Sequence, residues 1–244
     1  MRIDTLALQM RPRAPHEAAD LGIRLCQASA REVYACYLAV AVPLSLLAMS
    51  LFEIDPWLPT LVVWCAKPWL DRTVLYVLSR AAFGQRTRLA DLWADQRHVW
   101  WSQLIITWTW RRLSPWRSFT QAVYQLEGHS FFRLRQRIQQ VRRKYSGAAA
   151  IMTSAFAMAE LGLVIALFSL TFWLAPVTES VDFATFFTDA GGVYLQLITS
   201  IAYVIAVLFL EPFYVAAGFG MYLNRRAELE AWDIEQEFRR AFAS

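Results

Sequence analysis

VYACYLAVAVPLSLLAMSLF, residues 33–52, contains no charged side chain. At about 1.5 Å per residue it covers the roughly 30 Å hydrocarbon core of a bilayer. A second stretch, AAAIMTSAFAMAELGLVIALFSLTFWL at 148–174, is longer and holds one ionisable residue, Glu160, near its centre. Helices this long and this apolar belong in lipid, so the chain is expected to be an all-α, polytopic membrane protein.

The rest of the composition agrees. Of 244 residues, 57% are hydrophobic and 18% charged, with a mean hydropathy of +0.31, which is too apolar for a soluble domain of that size. The 11 tryptophans and 9 tyrosines suit the headgroup zone, where one end of the ring is apolar and the other wet. Cys26, Cys36 and Cys65 have neither disulfide-scaffold density nor metal-ligand spacing and read as small apolar fillers. The basic start of the chain is not followed by an apolar signal-peptide core and cleavage site, so insertion is expected to rely on the membrane helices.

Working outward, residues 1–14 read as a flexible basic tail ahead of a single α-helical membrane domain at 15–244. Pro15 suits a first helical turn, and Leu21, Leu25, Ala28 and Val33 recur at helical spacing, which predicts a surface-lying helix over 15–32 before the first span at 33–52. Residues 57–80 form a second span with a polar middle of Lys67, Asp71 and Arg72, and with a kink expected at Pro68. The apolar run Val99–Trp110, within a helical stretch at 89–112, is too short to cross and has arginines on both sides, so an interfacial or re-entrant helix is expected. A basic amphipathic helix at 131–145 precedes the third span at 148–174. The fourth span, 193–219, is broken by Glu211-Pro212, and a charged helix over 224–243 closes the chain.

Topology follows from charge. None of the 24 lysines and arginines falls in the turn after Phe52 or between Pro176 and Gly192, whereas those connections carry Glu53, Asp55, Glu179, Asp182 and Asp189. The positive-inside rule then predicts four spans with both termini in the cytoplasm of a bacterial inner membrane.

The candidate site is the set of charges at membrane depth: Lys67, Asp71, Arg72, Glu160 and Glu211. Lys67 and Asp71, four residues apart, can neutralise one another along one helix face. Arg72 lies roughly 22 Å from the acidic end of its span and Glu160 roughly 20 Å from its own, so these two are expected to pair. Such a seam serves either as a structural ion-pair network or as a proton, ion or substrate path, and both readings stay open. Arg133, Arg135, Arg137, Arg142, Arg143 and Lys144 on the basic helix, with Trp232 and Phe238 on the last helix, are expected to contact anionic lipid headgroups, a protein partner on the cytoplasmic face, or each other. His16, His98 and His129 are widely separated, and no Gly-rich phosphate loop or nucleophile elbow occurs. No catalytic residue, metal or cofactor is therefore assigned, and nucleic acid is not an expected partner.

The segments WCAKPWLDRTVLYVLSRAAFG from Trp64, WRRLSPWRSF from Trp110 and EPFYVAAGFGMYLNRRAELEAWDIE from Glu211, with HEAADLG from His16 and QLEG from Gln125, span nearly the whole chain. In these it resembles a family of proteobacterial integral membrane proteins typically encoded near a MoxR-type AAA+ ATPase and a transglutaminase-like membrane protein. The resemblance implies a component of a membrane-linked ATPase system and supplies no catalytic residues. Two function classes are carried forward. One is a non-enzymatic scaffold or assembly subunit; the other is a transporter or channel subunit, working as a homo-oligomer, that uses Lys67, Arg72, Glu160 and Glu211.

Overall fold

The computed structural model of the chain describes residues 13–101, 114–127, 131–174 and 189–230. Among the described residues it is an all-α membrane protein without a strand. Its helices are α1 (Pro15–Ala28), α2 (Ala30–Met49), α3 (Leu58–Ala81), α4 (Leu89–Ala94), α5 (Arg117–Leu126), α6 (Phe131–Trp173) and α7 (Asp189–Glu230). A short 3₁₀ turn, Ser50–Glu53, follows α2, and a π-type turn, Arg97–Trp101, follows α4.

Three helices are long and apolar enough to cross a membrane, within Ala30–Glu53, Leu134–Thr171 and Gly192–Glu230. They match the first, third and fourth expected spans. The second, α3, has the length for a crossing but carries Lys67, Asp71, Arg72 and Arg80, and its residues from Leu70 to Ser79 are buried without interruption. It is shielded on every side there, so protein rather than lipid surrounds its charges. Pro68 does not end it.

Several expected boundaries move. The first helix stops at Ser29 instead of running to 32: the backbone turns there at φ −108° and ψ 20°, and the Ser29 hydroxyl joins its amide on the Leu25 carbonyl, at 2.7 and 3.0 Å. The basic helix and the third span are one helix, α6, of 43 residues. The fourth span likewise continues into the charged segment as α7, of 42 residues, up to Glu230. A change from apolar to charged sequence marks where a helix leaves the bilayer, not where it ends, and neither Gly147 nor Asn224 is enough to break it. The expected helix at 89–112 is divided at Asp95 into α4 and the π-type turn, with 102–113 outside the described residues.

α7 is the post on which the fold hangs, touching α1, α2, α3, α5 and α6. From Tyr214 to Asn224 it is buried without a gap. Small residues let its neighbours in: a Cβ on Gly220 would collide with the Ala18 carbonyl and Gly22, one on Gly22 with the Ala216 carbonyl, and one on Gly218 with Ser118. α1 therefore packs on α7 instead of lying on the membrane surface, burying Ala18, Gly22, Leu25 and Cys26. Burial pushes the Cys26 thiol up to about 11, so at neutral pH it is a packing group. Asn224 ties down the start of α1, accepting from the Arg13 amide at 3.0 Å and donating to its carbonyl at 2.9 Å.

Pro212 removes one donor from α7, and α2 compensates nearby. Tyr34 donates to the Phe209 carbonyl at 2.7 Å and Tyr37 to that of Val207 at 3.4 Å. Towards the end of the bundle that holds Glu53 and Asp55, the helices splay and expose Leu46, Leu161, Ile165, Ile201, Ile205 and Phe209. That belt is what lipid covers. The tightly packed half is thus the basic end and the open half the acidic end.

The crossing of α1 and α7 is open to test. Gly220→Val is expected to lower thermal stability in detergent and to expose α1 to protease, at a cost of about 1–3 kcal/mol for overpacking. Gly162→Val on α6, where a Cβ meets nothing within 4 Å, is expected to leave both unchanged.

Candidate functional site

α3 supplies Lys67 and Asp71, four residues apart and so about 40° from one another around the helix. Both are buried and both face the junction of α5, α6 and α7. The Lys67 ammonium bridges two carboxylates, Glu160 of α6 at 2.6 Å and Glu211 of α7 at 2.8 Å. One turn along, Arg117 at the start of α5 lies 3.1 Å from Asp71 through Nε and hydrogen-bonds the other oxygen of Glu211 through an Nη. The result is a chain of alternating charge, Glu160, Lys67, Glu211, Arg117 and Asp71, crossing four helices.

Burial along this chain is graded. The side chains of Asp71 and Glu211 are 0% and 2% exposed, whereas that of Glu160 is 19% exposed. The Tyr214 ring centroid lies 5.1 Å from the Arg117 guanidinium, and the Tyr214 hydroxyl meets the Ser118 amide and Thr153.

α5 reaches this depth by running parallel to α3. Gln121 donates to the Pro68 carbonyl at 3.2 Å and Gln125 to that of Arg72 at 3.0 Å. Before the 102–113 segment, the Trp100 indole donates to Thr73 at 3.0 Å, again on α3. The chain on both sides of that segment therefore lies along the inner helix, at least 12 Å or so from its Ala81 end. The body of the expected interfacial or re-entrant helix falls outside the described residues.

Of the five expected network residues, four come together. Glu160 takes Lys67 as its cation and not Arg72, and Lys67 and Asp71 find partners on other helices instead of neutralising each other. The reason is angular. Arg72 sits about 140° around α3 from Lys67, so equal depth does not bring it to Glu160. The residue missed is Arg117, whose place just after Pro115 in a run of arginines reads as a loop charge.

At the basic end the expected contact residues mostly engage the chain itself. Arg137 bridges Glu127 at 2.9 Å and Glu230 at 2.7 Å, Lys144 pairs with Glu228 at 3.3 Å, and Arg142 stacks on Trp116 with 3.4 Å to the ring centroid. Tyr145 donates to Glu228 and accepts from Asn224. Intramolecular pairing of the two charged helices thus holds up to Glu230. Arg135 and Arg143 remain exposed on α6. The Arg133 side chain, Trp232 and Phe238 lie outside the described residues.

A cavity of about 400 Å³ opens between α3, α6 and α7 and ends on Lys67, Glu160, Glu211 and Arg117. Its upper wall is Thr60, Trp64, Phe156, Leu161, Thr199 and Tyr203. A second cavity, of about 530 Å³, shares Thr60, Trp64 and Thr199 with it and leads on past Trp57 and Pro56 towards the acidic end.

The chain matches no protein-family model, no curated protein and no solved structure.

The geometry ranks the charges by consequence. Arg117→Ala strips Asp71 and Glu211 of a shared cation and is expected to cost about 3–5 kcal/mol or to prevent folding, read by thermal unfolding in detergent. Glu160→Gln leaves Lys67 paired with Glu211 and is expected to be milder. A double-mutant cycle should show coupling of about 0.5–3 kcal/mol between Lys67 and Glu160, with a smaller value between Arg72 and Glu160.

Proposed function

We propose that this chain is a non-enzymatic integral membrane scaffold or assembly subunit of a bacterial inner-membrane complex, with the basic end in the cytoplasm. The observation that carries the reading is the mutual pairing of Lys67, Glu160, Glu211, Arg117 and Asp71 across four helices. Charges spent on each other lock helix positions, and among the described residues no set of three or more metal-ligating side chains comes together. The long helices α6 and α7 give the molecule a rigid charged projection at the basic end, the side on which an ATPase partner of the kind implied by the sequence resemblance would work. Exposed Arg135 and Arg143 suit anionic headgroups at the same level.

The second reading, an oligomeric transporter or channel subunit, is favoured by the cavity that reaches Glu160 from the acidic end. Below Glu211 the packed core of Phe119, Tyr145, Phe219 and Tyr222 closes the way, so transport needs a rearrangement of α5 or a second copy.

Affinity purification from native membranes in mild detergent tests the first reading. A partner protein recovered in fixed ratio is expected; recovery of the chain alone with lipid, across several mild detergents and after cross-linking, removes it. Orientation is tested separately by cysteine labelling in intact cells: Glu53→Cys is expected to react with an impermeant maleimide and Arg86→Cys only after permeabilisation. The reverse pattern overturns the cytoplasmic placement of the basic end.

A further inference from the structure

The ion-pair network has an unbalanced floor. Lys67 and Arg117 face three carboxylates, Asp71, Glu160 and Glu211, so the connected set is one positive charge short when all are ionised. Asp71 is sealed in protein, while Glu211 and Glu160 both line the cavity; of the three, Glu160 is the least buried and has the most side-chain surface open to it. One of its oxygens holds Lys67; the other has no partner among the described residues. Opposite it on α7, the buried hydroxyl of Tyr203 lines the same cavity and also lacks a hydrogen-bond partner among the described residues. An acceptor and an unsatisfied hydroxyl lining one low-dielectric recess are costly unless something hydrogen-bonds them.

The walls say what kind of thing. Trp64, Phe156 and Tyr214 present aromatic surface and Leu161, Val164 and Leu210 aliphatic surface, so most of an occupant must be apolar while its tip is cationic. The way in runs along the second cavity to the end that carries Glu53 and Asp55, where the connections hold no lysine or arginine. That end attracts cations and repels anions.

We propose that the groove between α3, α6 and α7 binds an organic ammonium ion with an apolar body, its N–H groups on Glu160 and Tyr203 and its body along Trp64, Phe156 and Leu161. The ligand's charge completes the network, and its apolar part replaces lipid between the splayed helices. The inference does not rest on the scaffold reading, and binding can succeed or fail whatever co-purifies.

The test is equilibrium dialysis of purified full-length protein, in uncharged detergent, against radiolabelled phenethylammonium. Saturable one-to-one binding is expected, with the isosteric alcohol and carboxylate bound at least about tenfold more weakly, equal to about 1.4 kcal/mol. Glu160→Gln should weaken binding about tenfold or more and Tyr203→Phe several-fold, since each removes one polar anchor. Ala157→Trp, which fills the cavity without touching a charge, should abolish binding while leaving the thermal midpoint near that of the wild type. If Glu160→Gln does not fold, Ala157→Trp decides alone. Absence of saturable binding, equal binding by wild type and Ala157→Trp, or preference for the carboxylate overturns the proposal.

Discussion

The fold depends on the placement of one cation, Arg117, between two buried carboxylates. Asp71 on α3 and Glu211 on α7 face each other across a junction in which lipid and protein are equally apolar, so the hydrophobic effect does little to hold the helices together. Alone, the two carboxylates would repel. With Arg117 between them and Lys67 one turn away, they become the reason α3, α5, α6 and α7 meet where they do. α5 has ten residues, too few to be a stable helix by itself, and it owes its position to this contact and to the glutamines that bond the α3 carbonyls.

From that junction the two halves of the molecule diverge for a reason visible in side-chain size. Towards the basic end α7 carries Ala216, Gly218 and Gly220, and backbones approach until α1 and α5 lie against it. Towards the acidic end it carries Ile201, Ile205 and Phe209, which keep neighbours away and meet lipid. The packed half is held by close contact and by polar links such as Asn224 to Arg13. The splayed half has little to hold it beyond the membrane itself. A cavity at the boundary is the geometric outcome of helices that converge on one side only.

Much of this was legible in the sequence. Uncharged runs announced the helices, and lysine and arginine separated the two ends. Helix ends were not legible, because the same residue types behave differently in context: the backbone turns at Ser29, while Gly147 and Asn224 lie within continuous helices and Asn224 bonds Arg13 through its side chain. The site was legible in membership and not in pairing. Depth along a helix is a one-dimensional measure, and Lys67 and Arg72 differ chiefly in angle. Arg117 hid in a run that looks like a basic loop.

Lys67 then occupies a special position, because it holds a carboxylate of each kind. Glu211 is almost fully buried and shared with Arg117, so it belongs to the lock; Glu160 is partly open and leans on Lys67 alone, so it belongs to the cavity. A change of charge at Glu160 is felt first at the Lys67 ammonium, which keeps Glu211 as its second carboxylate. The packed half is thereby insulated from whatever happens at the open one. A membrane protein that must keep one end rigid while the other meets lipid or ligand needs a boundary of that kind, and in this chain the boundary is a single lysine between two glutamates.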